Sequence, residues 1–407
     1  MTEVMRGIRV LEVAEHTFVP AASAILSDWG ADVIKIEPVE RGDAMRGIMS
    51  TGGLDLGGGG WHPLLEHSNR GKRSIGIDLG RPDGVELVHR LAASCDVFLT
   101  NKLPAVRTKL KIDVDDIRAV NPGIVYVRGS AYGSRGPDAD RGGYDVLGYW
   151  CRGGVAYGAK PVEVDSFTAQ PAPAYGDSIG AMTIAGGIAA GLLHRERTGE
   201  ATVIDVSLLA TGMWSMGAAI ALSHQLNHPW GQMPAGIDIG NPLMFGYQTS
   251  DRKTLFLACL QGFHYWSEVC RVTGLDELIG DERFADADSF RANSLASREI
   301  LKKVFAGATL AEWKDRLADF KGQWSAVQDP LEVMTDPQVI ANGYIVDVDS
   351  GSGATHPLVA TPVQFDGAPS PSTRAPAFNE HSDAILIDDL GMDWDDIIEL
   401  KVKGVIA

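Results

Sequence analysis

The first 130 residues alternate between two hydrophobic periods. RGIRVLEVA (6–14), ADVIKIEP (31–38), KRSIGIDL (72–79), CDVFLTN (95–101) and GIVYVRGSAYG (123–133) are short, β-branched-rich runs that predict buried strands. Between them lie helical patterns: one from Pro20 to Trp29-Gly30, one from Pro82 to Ser94, and a short one over 114–120. Strands separated by helices imply βαβ units. Right-handed crossovers then give an α/β, Rossmann-like domain with a mostly parallel sheet.

A long, small-residue helix is predicted from about Ser178 to His194, with a basic last turn at Arg195 and Arg197 and a stop at Gly199. Asp177 follows Gly176 at its start. The helix dipole favours an ionised Asp there, which is either an N-cap or a nucleophile. Gly180, Ala181, Ala185, Gly186, Gly187, Ala189, Ala190 and Gly191 strip this helix of bulk, which implies close packing or room for a ligand or second subunit. ATVIDVSLL (201–209) leads into an apolar helix up to about Leu226, then a turn-rich crossing over 227–242. A smaller α+β unit follows over 245–341. It has a strand at 254–260 and helices near 264–273, 297–306 and 310–319. Residues 342–407 return to the large domain of 1–200, ending in two short helices about Gly391.

Composition narrows the function classes. The net charge of −17 argues against nucleic acid and anionic membranes as partners. Residues 1–150 carry 18 basic and 20 acidic side chains, against 18 and 33 in 151–407. The basic residues of the first part cluster at Arg70, Lys72, Arg73 and at Lys102, Arg107, Lys109, Lys111, where a polyanionic small molecule would bind; a solvated face is the alternative. No apolar run is read as a transmembrane span or signal peptide, and Cys95, Cys151, Cys259 and Cys270 lack metal spacing, so a cytoplasmic protein with reduced thiols and no metal is expected. The loop after the first strand has no GxGxxG, which disfavours a nicotinamide cofactor. The glycine run at 51–60 lacks a P-loop Lys-Ser/Thr and reads as a flexible loop, a candidate cover over a site.

Five separated motifs carry a family resemblance across the whole chain: GIRVLEVAEHTFVPAAS with LSDWGADVIKIEP, NRGKRSIGIDL, SAYGSRGPDADRGGYDVL, GDSIGAMTIAGGIAAGLLHRERTGEATVIDVSL, and TPVQFDGAPSPSTRAPAFNEHSDAIL with its continuation. The chain resembles the class III CoA-transferases, a superfamily that includes the α-methylacyl-CoA racemases. The resemblance implies two domains joined by long linkers in an interlocked homodimer. It implies acyl-CoA and carboxylic acids as substrates, with no permanently bound cofactor. Asp177 falls on the family's catalytic Gly-Asp, and would attack the thioester to give an aspartyl–acyl anhydride and then an aspartyl-CoA thioester. Nearby glycine N–H groups would serve the oxyanions.

His16 and Thr17 fall in the loop lining the site; where some transferases have Gln, this chain has Thr17. Asn69, Lys72 and Arg73 match the block near the CoA phosphates, Asn101 and Lys102 the loop flanking adenine, and Lys109 a phosphate contact; each also reads as an ordinary surface residue. Racemases carry His-Asp where this chain has Tyr144-Asp145. Tyr titrates near 10 and is a poor base at neutral pH, which favours transfer over racemisation. A 2-methylacyl-CoA racemase using Asp145 and Asp177, and a non-catalytic acyl-CoA-binding protein, stand as alternatives.

Overall fold

The computed structural model describes residues 2–51, 53–56, 61–232 and 237–407. The chain forms two compact units, one of residues 1–232 with 338–407 and one of 233–337. The first is built on six parallel strands: β1 (Arg9–Val13), β2 (Asp32–Glu37), β3 (Arg73–Gly76), β4 (Val97–Thr100), β5 (Val125–Ser130) and β6 (Val203–Ser207). Their order is β3-β2-β1-β4-β5-β6, so the sequence reverses direction between β1 and β4.

Strands β1 to β5 are largely buried on both faces, which explains why they read as nearly continuous apolar runs, whereas the edge strand β6 buries only Ser207. Val10, Val33, Val97, Leu99, Val125 and Val127 face helices α1 (Phe18–Asp28) and α3 (Tyr175–Thr198). Leu11, Val13, Ile34, Ile36, Phe98 and Tyr126 face the helix Pro82–Ala92, the helix Val114–Val120 and the C-terminal segment. That segment also closes the β3 edge: Asp78 N–H donates to Val405 O at 2.8 Å, and Arg73 reaches Asp389 at 2.7 Å. A third helix, α2 (Pro63–Asn69), packs beside α1. Of the glycine run at 51–60 expected as a flexible loop, the described part forms a short antiparallel pair, Ser50–Thr51 with Leu54–Asp55, while residues 52 and 57–60 lie outside the described residues.

Two features of α3 differ from the sequence expectation. It starts at Tyr175, earlier than expected, with Ala174 in left-handed conformation (φ 55°) at the N-cap. By length and apolar content alone, α3 could also cross a membrane. Here its Ala181, Ile184, Ala185 and Ile188 are buried against α1 and the sheet. A Cβ on Gly180 would stand 2.3 Å from the Phe18 ring, so the two helices approach through that glycine.

The second unit is α+β. Its antiparallel sheet runs Trp324–Ala326, Thr254–Leu257, Gly246–Gln248, and helices Gly262–Thr273, Ser294–Phe305 and Leu310–Arg316 enclose Trp266, Phe305 and Trp313.

Candidate active site

Loops leaving the carboxyl ends of β1 and β4 diverge where the strand order reverses, and this leaves a crevice. A cleft of about 1160 Å³ occupies it. Glu15 and His16 line it from the loop after β1, Asn101 and Lys102 from the loop after β4, Gly129 and Ser130 from the end of β5, and Leu208 from the residue after β6. Tyr144 and Asp177 complete the wall. Six of the residues singled out from sequence therefore meet here: His16, Asn101, Lys102, Arg107, Tyr144 and Asp177.

The loop after β1 is held from below. Asp43 accepts the His16 N–H at 3.0 Å, while His16 sits at φ 68°. Asn101 clamps the same loop by accepting from Glu15 N–H (3.2 Å) and donating to Glu15 O (2.7 Å). Glu15 pairs with Arg41 at 2.6 Å and with Lys102. Above the cleft, Tyr144 is 62% exposed and its ring meets the His16 ring edge-on at 5.6 Å.

Asp177 is in the first turn of α3 and caps nothing: among the described residues its side chain makes no hydrogen bond. Behind it, Gly176 N–H points at Asp145 Oδ2, 3.3 Å away. Gly176 is required there, because a Cβ would come 2.5 Å from the Tyr149 ring. Burial and the charge of Asp145 push the Asp177 carboxyl up to about 8. Burial and Asp145 thus act against the helix dipole, which the sequence reading expected to keep this carboxyl ionised. If Asp177 is the nucleophile that the family resemblance implies, the second-order rate should rise about tenfold per pH unit toward pH 8 and level off above it, a pH–rate profile being the check.

Other expected contacts are placed elsewhere. Lys72 is not on a basic face: its side chain is fully buried and donates to Glu12 (2.7 Å), Pro20 O (2.8 Å) and Asn69 Oδ1 (3.0 Å). Burial pulls its pKa down to about 7 against the pull of Glu12. Asn69 is buried with it. Arg73 is paired with Asp32 and Asp389, and Thr17 is buried at the start of α1. None of these four lines the cleft, so their assignment to CoA phosphates and the site loop is corrected by burial and pairing. Lys109 lines a separate groove of about 650 Å³ with Lys111, Arg81, His89 and Arg90.

Several neighbours of the site carry no sequence signal of their own. His67, on α2, lies 3.1 Å from Ser178 Oγ, which itself donates to Ala174 O at 2.9 Å. Burial drops His67 to about 4, so it is neutral. Its Nε2–H therefore donates to Ser178 and steadies the turn that carries Asp177. Arg128, paired with Asp205 at 2.8 Å, and the exposed Arg135 and Arg141 also line the cleft. No local spacing links these residues to Asp177; only the fold does.

Comparison with known proteins places the whole chain in a family. The family model of CoA-transferase family III matches residues 5–382. The chain is 30% identical to (R)-2-hydroxy-4-methylpentanoate CoA-transferase of Clostridioides difficile, covering 99% of both chains. It is 29% identical to a succinate–glutarate CoA-transferase of Agrobacterium fabrum, covering 94% of each. Among solved structures, a CAIB/BAIF family protein from Brucella suis superposes with a TM-score of 0.80 at 27% identity, over 95% of this chain and 99% of that one. With its parallel sheet, its crevice at the strand ends and a family match over nearly its whole length, the chain belongs to CoA-transferase family III and is a CoA-transferase.

Proposed function

We propose that this enzyme moves CoA from an acyl-CoA thioester to an acceptor carboxylic acid, with Asp177 as the covalent nucleophile. The observation that carries the reading is a carboxylate without hydrogen-bond partners among the described residues, on the wall of a cleft large enough for an extended thioester. Attack of Asp177 on the thioester gives an aspartyl–acyl anhydride and CoA thiolate. The thiolate attacks the aspartyl carbonyl, gives an aspartyl-CoA thioester and frees the donor acid. The acceptor acid enters and the steps run in reverse. His16, Asn101, Lys102 and Tyr144 form the walls that hold the acyl-CoA. The Clostridioides and Agrobacterium relatives act on a branched 2-hydroxy acid and on dicarboxylates, so short, polar carboxylic acids are the first acceptors to try.

The test is a panel of acyl-CoA donors against carboxylic acid acceptors, read by mass, with hydroxylamine trapping in the absence of acceptor. The label should fall on the peptide containing Asp177; a label on another carboxylate would refute the assignment. Asp145 is 7% exposed and does not line the cleft, so it offers no second base to a racemase. Accordingly, 2-methylacyl-CoA in heavy water should gain no α-deuterium.

We also propose a homodimer. The helix Gly217–Leu226 buries none of its residues, and Trp214 beside it is 86% exposed, leaving an apolar surface that a second copy would cover. Analytical ultracentrifugation at nanomolar concentration should show a folded dimer. A folded, active monomer would contradict it.

A further inference from the structure

Asp145 sits directly behind Asp177, and the role assigned to it here rests on Asp177 being the nucleophile. Its Oδ1 accepts the Val146 N–H at 2.7 Å; its Oδ2 accepts Gln170 Nε2 at 2.8 Å and the Gly176 N–H at 3.3 Å. A carboxylate from a segment 31 residues upstream thus caps the first turn of α3, where Ala174 offers no side-chain cap. The other ionisable groups around Asp177 leave its charge uncompensated. His67 on α2 is neutral, Lys102 is paired with Glu15, and Arg128 is paired with Asp205. His16 and Tyr144 face the cleft, and Arg135 and Arg141 stand on its exposed wall, where water screens them.

We propose that Asp145 is a positioning residue that drives Asp177 into its covalent intermediates: it fixes the first turn of α3, and its charge repels the free Asp177 carboxylate but not the acylated one. The charge balance of the reaction supports this. When an Asp177 oxygen attacks the thioester carbonyl, a C–O bond forms, the C–S bond breaks, and the electron pair leaves on CoA thiolate. Asp177, now an anhydride, is neutral. The thiolate then attacks the aspartyl carbonyl; a C–S bond forms, the anhydride C–O bond breaks, and the charge leaves on the donor carboxylate. Asp177 is uncharged in both adducts, so the desolvation and repulsion that burden the free carboxylate are relieved in each. The same burden makes the free carboxylate more basic and hence a better nucleophile. The raised pKa of Asp177 is consistent with this arrangement.

Asp145→Asn keeps the shape and an acceptor oxygen but removes the charge. Its acid limb in kcat/KM should move down by about one pH unit, the scale of a like-charge neighbour. The limiting rate above pH 9 should fall about tenfold, and less enzyme should be trapped as the Asp177 adduct. Asp145→Ser, also neutral, should move the limb the same way. A purely structural Asp145 would lower the rate without moving the limb, and a limb unmoved in both variants overturns the proposal. Protonation of Asp177 is also read without turnover, from the pH dependence of carbodiimide labelling of its peptide. An absent Asp177 adduct in the unmodified enzyme would sink the transferase mechanism. An unmoved labelling curve in Asp145→Asn would sink this inference alone.

Discussion

Asp177→Asn is expected to lower CoA transfer on the order of 10⁴-fold or more while CoA binding and fold survive, because an amide cannot form the anhydride. The structure removes the competing explanation. Asp177 caps nothing, so the exchange breaks no hydrogen bond among the described residues. The variant should also melt higher than the parent at pH 7.5, and this sign is independent of catalysis. An unfolded Asp ionises near 3.8 and the folded one near 8, so the unfolded chain binds fewer protons in between. Parental stability therefore falls as pH rises from about 4 to about 8, and Asn abolishes that loss. Near pH 3.5 the two proteins should melt alike. Retained activity, within tenfold of the parent, would mean that another group is the nucleophile.

Lys35→Met should cost about 3–5 kcal/mol, the scale of breaking a buried ion pair, and lower the melting temperature by roughly 10 °C. Lys35 is fully buried and reaches Glu12 at 2.6 Å, Asp43 at 2.7 Å and Ala14 O at 3.0 Å. Removing it leaves Asp43 without its ammonium partner. Replacing Asp43 by Leu as well should recover part of the loss, since two apolar groups leave no buried charge unpaired. The damage should reach function, because Asp43 also holds His16 at the cleft. KM for acyl-CoA should rise in Lys35→Met beyond any fall in kcat. Differential scanning calorimetry and initial rates check the two claims. Glu12, Glu37 and Asp43 all sit below their ordinary carboxylate range in this network, through Lys35 and its neighbours. Their contribution to stability is complete above the unfolded values of 4.5 and 3.8, and is lost as pH falls below them.

Local periodicity and motif order carried what was legible from the residues alone. Strands buried on both faces must be apolar almost throughout, so β1, β2, β4 and β5 stand out as runs, and the helices between them as 3.6-residue patterns. A Gly-Asp at a helix start, set among four other motifs in order, located Asp177 and the family. Tertiary structure alone decided which charges face water. Glu12 and Lys35 share a sheet face with Val10 and Val33, and Lys72 joins them there, because each finds its partner on a neighbouring strand or helix. From the sequence, the same Lys72 reads as one cation in a surface cluster. Tertiary structure likewise set the ionisation of Asp177. The helix dipole is a local term that sequence supplies, whereas desolvation and the repulsion of Asp145 arise only once the chain brings Tyr149, Gly176 and Asp145 together. His67 reaches Ser178 across 111 residues, and a contact at that separation has no period in the sequence from which to read it.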